Sequence, residues 1–377
     1  MKPDEKTGPF RTQLAIRTVL VEKAVRRSPL VQRLRERLPH ARFQEVDSVP
    51  PASSRVRGLL EVVHFKGRFW RPCPGTRVYD CCGYQILHFG TQCTIDCTYC
   101  ILQAYLDQPN LRLFGNIDDL LREVDETLAR SPDRLHRVGT GEFTDSLLLD
   151  PWTGLSRDLV PLFARHPNAV LELKTKTAHV DQLKDLPHGG HTIISWSLNA
   201  EEVIRREEPK AASLKARLEA ARKCAQWGYY LGFHFDPLMD TPGRREGYRK
   251  TLDALFNAVA PSRVVWISLG AFRFMPELKA IIAKNHPRTR ITTGEFIRGL
   301  DGKLRYFRDI RLELYAEMVE ALRRWDPDLC VYLCMEGPWI WRKVFGFEPA
   351  ERGGLPRMLD DAVRTRMGIM GGVTSDG

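Results

Sequence analysis

Residues 191–238 read HTIISWSLNAEEVIRREEPKAASLKARLEAARKCAQWGYYLGFHFDPL, and this stretch decides the fold. Its two ends, HTIISWSLN and YYLGFHFDPL, are short runs rich in β-branched and aromatic residues, which predict buried strands. Between them, SLKARLEAARKCAQ (213–226) carries apolar residues at helical spacing. A strand, a helix and a second strand in this order predict two parallel strands joined by a crossover helix.

The same alternation extends on both sides of this stretch. Four further runs resemble buried strands, and they are QILHFG (85–90), HRVGTGE (136–142), AVLELKTKT (169–177) and RVVWISLGAF (263–272). Six near-continuous apolar runs separated by helical segments predict an α/β fold with a parallel sheet, either a barrel or a doubly wound sheet. The length of 377 residues fits one large α/β barrel with extensions.

Polar side chains lie where several of these runs end, and their distribution distinguishes a barrel from a doubly wound sheet. Glu142, Lys176, Asn199 and Asp236 each lie at the end of a different run. A barrel builds its site from several such strand ends, whereas a doubly wound sheet concentrates its signal in one glycine-rich turn. No G-x-G-x-x-G string follows the first run. We therefore expect a partial (β/α)6 barrel.

The segments around the barrel predict its extensions. Residues 11–40 carry apolar residues at helical spacing among arginines, which predicts a helical start. Asp301-Gly302 predicts a hairpin turn, followed by a helix over 309–324 and a strand over 330–336. The expected division is a basic helical N-terminal extension (1–60), the barrel (61–290), a C-terminal hairpin, helix and strand that complete the barrel (291–350), and a flexible tail (351–377).

The composition is that of a globular chain, and we expect this chain to lie in the cytoplasm. Hydrophobic residues make up 43% and charged residues 28%, which excludes a disordered, collagenous or coiled-coil chain. No window approaches the ~18 apolar residues of a membrane span, and the start MKPDEKTGPF lacks the apolar stretch of a signal peptide. The net charge of +10 favours a polyanionic partner such as nucleic acid.

The sharpest motif is TQCTIDCTYCILQAYL (91–106), which places Cys93, Cys97 and Cys100 in a C-x3-C-x2-C spacing. Because the cytosol keeps thiols reduced, clustered cysteines indicate metal ligation or redox chemistry. Three thiolates from one short loop suit a 4Fe-4S cluster with one iron left open for a cofactor. The alternatives are a zinc site completed by the distant Cys82 or His88, and three ordinary buried cysteines.

This cysteine spacing resembles that of the radical S-adenosylmethionine superfamily. In that superfamily the open iron binds the amino and carboxylate groups of S-adenosylmethionine, and the reduced cluster cleaves it to a 5'-deoxyadenosyl radical. The string Gly139-Thr140-Gly141-Glu142 is similar to the superfamily's glycine-rich motif. The resemblance implies a 4Fe-4S cluster and S-adenosylmethionine as cofactors, a low-potential electron donor, and contacts from Gly141 and Glu142 to the cofactor's amino group.

A narrower resemblance is to the spore photoproduct lyase family, which repairs DNA. It rests on KTKTAHVDQL (174–183) and on four parts of residues 195–238: Ser-x-Asn, Glu-Pro, Arg-Leu-x-Ala-Ala-Arg-Lys and Gly-Tyr-x-Leu-Gly-Phe. It covers roughly residues 80–335 and implies a radical lyase acting on a pyrimidine-dimer lesion or related modified base in DNA. Two alternatives stay open: a radical enzyme that modifies RNA or a small anionic substrate, and a zinc-containing nucleic-acid-binding protein.

Carried over to this chain, the resemblance implies roles for individual residues. Cys93, Cys97 and Cys100 would ligate the cluster, and Tyr99 would lie near the adenine as part of the catalytic set. Lys176 would meet the cofactor carboxylate, and Asn199 would add a polar contact. The alternatives are a solvated surface lysine for Lys176 and a helix cap for Asn199.

The hairpin at residues 293–307 matches the family's DNA-contacting hairpin. Its candidate contacts to phosphates and bases are Arg298, Lys303, Arg305 and Tyr306. Cationic groups on a projecting ribbon bind a phosphate backbone, and an aromatic ring can fill the space left by an extruded base pair. The alternative is a solvated charged hairpin.

Two departures from the family affect the return of hydrogen to the product. The family's hydrogen-donating cysteine belongs to the loop after the second strand, where this chain has GEFTDSL (141–147) without a cysteine, and Ile101 stands in place of a second tyrosine. Another donor, another substrate or another chemistry would each explain this. Cys334 is a candidate donor because Cys330, Tyr332 and Cys334 share one face of a predicted strand. Buried, inert cysteines are the alternative.

Overall fold

A computed structural model of the chain describes residues 16–76 and 78–370. In chain order, the strands of these residues are β1 (Thr18–Glu22), β2 (Arg42–Val46), β3 (Leu59–Val63), β4 (Trp70–Pro72), β5 (Gln85–Leu87), β6 (Gly90–Thr91), β7 (Leu111–Phe114), β8 (His136–Gly139), β9 (Ala169–Thr175), β10 (Thr192–Ser197), β11 (Tyr230–Leu238), β12 (Val264–Ala271), β13 (Arg273–Phe274), β14 (Ile297–Arg298), β15 (Leu304–Arg305) and β16 (Cys330–Leu333).

Helices connect most of these strands. In chain order, the α-helices of the same residues are α1 (Pro29–Arg37), α2 (Leu102–Tyr105), α3 (Ile117–Ala129), α4 (Asp150–Thr153), α5 (Leu155–Ala164), α6 (Glu201–Glu207), α7 (Leu214–Gln226), α8 (Arg244–Ala258), α9 (Pro276–Asn285), α10 (Arg308–Trp325), α11 (Pro338–Phe345) and α12 (Leu355–Met367). Within residues 16–76 and 78–370, none of them combines the length and apolarity that crossing a bilayer requires.

The largest sheet is the predicted partial barrel. Its strand order is β16-β12-β11-β10-β9-β8-β5-β4, and every neighbouring pair is parallel except β4 with β5. The six predicted runs form β5, β8, β9, β10, β11 and β12. Every residue of β10 and β12 is buried, as near-continuous apolar runs require when helices cover the outer face. The α/β barrel prediction is confirmed.

One carboxylate holds the inside of the barrel together. Glu172 on β9 is 3% exposed and accepts hydrogen bonds from Tyr84 Oη (2.6 Å), Ser195 Oγ and Trp266 Nε1 (3.1 Å), with His234 Nε2 at 2.8 Å. Burial would raise the pKa of Glu172, but His234, Lys174 and Ser195 together outweigh burial and lower it. A buried carboxylate is tolerated here because hydrogen-bond donors surround its oxygens. These hydrogen bonds hold β9, β10, β11, β12 and the residue before β5 around one point.

The N-terminal segment forms a second sheet, not the predicted helical extension. The strand order is β2-β1-β3-β7-β6, with Val19 and Val21 of β1 fully buried. The sequence TVLVE buries every second residue, Val19 and Val21, and this period of two outweighs the helical spacing predicted for residues 11–40. Only Pro29–Arg37 is α-helical there, starting at the Ser28 cap, and residues 11–15 lie outside the described residues.

This smaller sheet carries the cysteine motif. Its strands β6 and β7 come immediately before and after the loop that contains the three motif cysteines. The loop is therefore anchored at both ends in one sheet, while the barrel lies beside it. The N-terminal strands are thus part of the scaffold that positions the candidate site.

The C-terminal part begins with the predicted hairpin. Strands β14 and β15 pair antiparallel around a turn at Asp301-Gly302, and β13 adds a third strand. Gly302 has a φ of +78°, a left-handed conformation that favours glycine. Helix α10 and strand β16 follow, close to the predicted bounds, and β16 joins the barrel sheet beside β12.

The predicted flexible tail is wrong for its described part, because residues 355–367 form α12. Leu355, Leu359 and Val363 are all buried at i, i+4 and i+8, and the helix packs on β12 and β16. Arg137 Nε pairs with Asp360 Oδ1 at 2.7 Å. Glycines before and after the helix hid this periodic signal, and residues 371–377 lie outside the described residues.

The packing of α12 predicts that this segment contributes to stability. Leu359→Ala removes a side chain that is 2% exposed and should lower the free energy of unfolding by about 2–4 kcal/mol in urea titrations. Arg357→Ala, on the exposed face of the same helix, should change it by less than about 0.5 kcal/mol. Equal effects of the two substitutions would contradict the packing.

Candidate active site

A cavity of about 400 Å³ opens where the barrel strands meet the cysteine loop. Cys93, Cys97 and Cys100 line it from the loop between β6 and β7. Strand-end residues complete the wall, and they include Gly141, Glu142, Lys174, Lys176 and Asp236. The predicted convergence of strand ends therefore places these residues around a single space of a size typical for small-molecule sites.

Polar contacts fix the backbone of the cysteine loop without using the thiols. Asp96 has a left-handed φ of +55° and forms ion pairs with both Arg55 and Lys210. Arg55 Nη2 also donates to the Cys93 carbonyl oxygen at 3.0 Å. Gln103 Nε2 lies 3.0–3.4 Å from three carbonyl oxygens of the loop. Side chains outside the cavity thus fix the loop, and its three thiols remain free to face the cavity.

The donor set fits an iron–sulfur cluster. Three thiols on one loop line one cavity, and soft thiolates are the ligands that such clusters use. In the part of the chain that the structure describes, no three His, Cys, Asp or Glu side chains are already gathered at metal-binding distances. The fit therefore rests on the chemistry of the three side chains and on the cavity they share.

Glu208 joins the cysteine loop to the barrel. It is 2% exposed and accepts hydrogen bonds from Arg217, Tyr99 Oη and Lys176 Nζ, the last at 3.1 Å. Burial would raise the pKa of Glu208, but Arg217 and Lys176 outweigh burial and lower it to about 2. Neither Glu208 nor Arg217 was among the site residues predicted from the sequence, although both belong to the family-like stretch.

Lys176 and Asn199 occupy different environments. Lys176 lines the cavity with its ammonium 5.5 Å from the centre of the Tyr99 ring, and Glu208 takes one of its three N–H donors. Asn199 is 1% exposed, donates to the Pro237 carbonyl oxygen at 2.7 Å and accepts from the Ala200 amide at 3.0 Å. Lys176 can thus reach a ligand, whereas Asn199 is occupied by backbone groups; it is not the cap of α6 either, because the N-cap residue is Ala200 and no side chain caps the helix.

Gly141 and Glu142 bring the end of β8 against β9. A Cβ atom on Gly141 would lie 2.9 Å from the Cβ of Lys174, so glycine is needed for this approach. Glu142 Oε1 accepts from Lys174 Nζ at 2.5 Å. Burial would lower the pKa of Lys174, but Glu142 outweighs burial and raises it. Lys174 and Glu142 thus form an ion pair at the cavity wall.

The family of the chain follows from its similarity to a known family over most of the barrel. A model described as spore photoproduct lyase matches residues 81–309, more than half of the chain. The chain belongs to the spore photoproduct lyase family.

Curated members of the family are about 30% identical to this chain over the aligned segment. The spore photoproduct lyase of Bacillus subtilis is 32% identical over 211 residues, which are 55% of this chain and 61% of that protein. The spore photoproduct lyase of a Geobacillus strain is 29% identical over 208 residues, or 54% and 61% of the two chains. The chain therefore spans about three fifths of the length of these relatives.

Solved structures of family members share the fold over a longer range. A spore photoproduct lyase double mutant with bound AdoMet and dinucleoside spore photoproduct superposes with a TM-score of 0.76, at 24% identity, over 86% of this chain and 100% of that one. A spore photoproduct lyase complexed with the same dinucleoside gives 0.75 at 23% identity, over 85% and 100%. The family fold thus includes regions outside the segment matched by sequence.

The hairpin residues divide into three groups in this family member. Arg298 is exposed, and Leu300 at the tip is 79% exposed. Lys303 lines the cavity, with Nζ 3.4 Å from Met335 Sδ. Arg305 and Tyr306 are 2% and 6% exposed and hold the base of the hairpin. Of the four predicted DNA contacts, Arg298 is therefore the one that projects into solvent, and Leu300 was not predicted as a contact from the sequence.

The candidate donor Cys334 is engaged by charged neighbours. It directly follows the last residue of β16, and its amide donates to the Leu269 carbonyl oxygen of β12 at 2.8 Å, which continues the strand pairing by one residue. Its Sγ lies 3.3 Å from Arg273 Nη2, and Arg273 forms an ion pair with Asp236 at 3.0 Å. Burial raises the pKa of the Cys334 thiol to about 12. Arg273 and Asp236 line the cavity, whereas Cys334 is not among the lining residues.

The ion pair of Glu208 predicts a pH-dependent contribution to stability. Glu208→Gln leaves the fully buried Arg217 without its anion and should lower the free energy of unfolding by about 3–5 kcal/mol at pH 7. Because the folded pKa is depressed, the contribution is full above the usual value of 4.5 and is lost as the pH falls through about 2. Urea titrations of both proteins between pH 7 and pH 2.5 measure the difference.

The matched control is Glu219→Gln, which breaks the exposed ion pair with Arg222 on α7. Its effect should stay below about 1 kcal/mol. A Glu208→Gln effect that is as small as this, or that grows as the pH is lowered, would show that Glu208 is not the buried anion described here.

Proposed function

We propose that the chain is a radical S-adenosylmethionine lyase that repairs a pyrimidine-dimer lesion in DNA. One observation carries the proposal: in a member of the spore photoproduct lyase family, a single cavity joins the three-cysteine loop to Glu142 and Lys176 at the strand ends. All nine cysteines are free, which fits a reducing compartment such as the cytoplasm. A low-potential one-electron donor completes the proposed system.

The cavity wall offers a place for each cofactor. Cys93, Cys97 and Cys100 would hold a 4Fe-4S cluster through three of its irons. Lys176 would bind the carboxylate of S-adenosylmethionine with its remaining N–H donors, and Glu142 would accept from the amino group through the carboxylate oxygen that Lys174 leaves open. The bound pair would supply a carbon-centred radical that takes a hydrogen atom from the lesion.

The chain's own task is to orient the reactants and keep water out. Tyr99 is fixed by Glu208 and contacts Lys176, so its ring forms a rigid wall of the cavity. Apolar side chains close much of the remaining surface, among them Ile95, Leu102 and Phe272. A rigid, largely apolar pocket protects a radical from side reactions with solvent and protein groups.

The relatives and the hairpin support DNA as the substrate. Solved relatives contain dinucleoside spore photoproduct, and this chain carries a net charge of +10. Arg298 would contact a phosphate, while Leu300 at the hairpin tip presents an apolar side chain of the kind that enters between unstacked bases. Lys303, at the cavity, would contact the substrate near the reaction centre.

The cluster assignment predicts the effect of removing one ligand. After anaerobic reconstitution, Cys97→Ala should lose the electron paramagnetic resonance signal of the reduced cluster and form no 5'-deoxyadenosine from S-adenosylmethionine, because the loop then supplies too few thiolates. Cys330→Ala is the matched control, since its Sγ faces the Met358 carbonyl oxygen of α12. Stoichiometric zinc with no 5'-deoxyadenosine in the unaltered protein would overturn the proposal.

The hairpin assignment predicts a change in salt dependence. Arg298→Ala should weaken binding to lesion-containing duplex DNA and reduce the slope of log K against log salt by about 0.9, the value expected for one phosphate contact. Fluorescence anisotropy at several salt concentrations measures this slope. Arg249→Ala, an exposed arginine on α8, is the control. Equal slopes for both variants would remove Arg298 from the DNA interface.

A further inference from the structure

Cys73 is a cavity residue that neither the motifs nor the strand-end pattern singled out. It follows β4 directly, and its amide donates to the Tyr84 carbonyl oxygen at 2.9 Å, which fixes it beside the start of β5. Its side chain lines the same cavity as the cysteine loop and Glu142. A thiol outside the cluster motif is therefore held in the proposed active site.

The surroundings of Cys73 keep its thiol protonated. Burial raises the pKa of Cys73 well above its usual value, and the nearby carboxylate of Glu142 adds to the effect. A thiol that stays protonated at neutral pH keeps the hydrogen that a hydrogen-atom donor must give up.

The proposed reaction needs such a donor. Breaking the bond between two pyrimidines by a radical route leaves an unpaired electron on a carbon atom of the product, which must receive one hydrogen atom. The loop GEFTDSL at the cavity contains no thiol, and Glu142 stands there instead. The O–H and C–H bonds of the cavity's carboxyl and aliphatic groups are stronger than a thiol S–H bond, so a thiol is favoured over these groups. Of the phenols at the cavity, Tyr99 already donates its hydrogen to Glu208 and Tyr105 is 46% exposed.

We propose that Cys73 donates the hydrogen atom that completes the repaired product. The inference rests on the proposed function and adds to it the residue that ends the radical sequence. In this step the S–H bond of Cys73 breaks, a C–H bond forms on the product, and the unpaired electron moves to the sulfur. The resulting thiyl radical returns to the thiol by taking one electron from the low-potential donor and one proton from solvent.

The geometry favours Cys73 over the other thiols near the cavity. Cys334 is held by Arg273, and it is not among the residues that line the cavity, whereas Arg273 and Asp236 are. Cys81 and Cys82 follow one another before β5 and interact with each other. Among the described residues that line the cavity, the cysteines are Cys73 and the three of the cluster loop.

Isotope transfer tests the proposal with dinucleoside spore photoproduct as the probe. In D2O the unaltered protein should deliver deuterium from the exchanged thiol into the repaired dinucleotide, measured by mass spectrometry. Cys73→Ala should still form 5'-deoxyadenosine, but the ratio of repaired dinucleotide to 5'-deoxyadenosine should fall by about tenfold or more. Cys73→Ser should behave in the same way, because its O–H bond is too strong to replace the thiol.

Three controls keep the result interpretable. Cys330→Ala should leave the product ratio unchanged. Iron content and the signal of the reduced cluster should be unchanged in Cys73→Ala, whereas their loss would make Cys73 a cluster ligand and overturn the proposal. Thermal unfolding of Cys73→Ser should match the unaltered protein within a few degrees.

Other outcomes are equally distinct. A normal product ratio and normal deuterium content in Cys73→Ala, or a loss confined to Cys334→Ala, would show that Cys73 is not the donor. If the unaltered, reconstituted protein forms neither 5'-deoxyadenosine nor repaired dinucleotide, the proposed lyase function itself fails. That failure differs from the failure of the donor assignment, in which the unaltered protein is active.

Discussion

The candidate site depends on the buried carboxylate of Glu208, because this group connects three separate pieces of the chain. Tyr99 belongs to the cysteine loop, Lys176 follows β9, and Arg217 belongs to α7, yet all three donate to the same two oxygens. A buried ion pair is costly to desolvate, so its value lies less in net stability than in specifying one arrangement. Here that arrangement places the cysteine loop against the barrel mouth.

A second buried carboxylate plays the same part deeper in the barrel. Glu172 gathers the side chains of Tyr84, Ser195, His234 and Trp266, which come from the β5 region and from β10, β11 and β12. Glu172 lies on β9 only four residues before Lys176, which donates to Glu208. Glu172 therefore holds the interior of the barrel and Glu208 holds its mouth. Strand ends that are held this rigidly can present side chains to a ligand with little loss of entropy on binding.

Local patterns predicted the barrel strands well, because apolar runs of six to ten residues in an α/β fold form strands of a parallel sheet that is covered on both faces. The same patterns were wrong for TVLVE at Thr18–Glu22 and for the segment of α12, where a short periodic signal competed with arginines or glycines. At the site, converging strand ends predicted Glu142 and Lys176, since this convergence follows from topology alone. Burial of Arg305 and Tyr306 depends on how the hairpin packs, which no local pattern encodes.

Cys73 shows why a strand-end rule finds only part of such a cavity. It follows β4, which runs antiparallel to its neighbour at the edge of the barrel sheet, so it belongs to no strand-helix unit. An open barrel leaves room beside its first strand, and any segment that covers this opening adds side chains to the cavity. A thiol that is absent from the loop after β8 can therefore be supplied by a residue at the edge of the sheet. The substrate contacts the side chains that line the cavity, whatever their position along the chain.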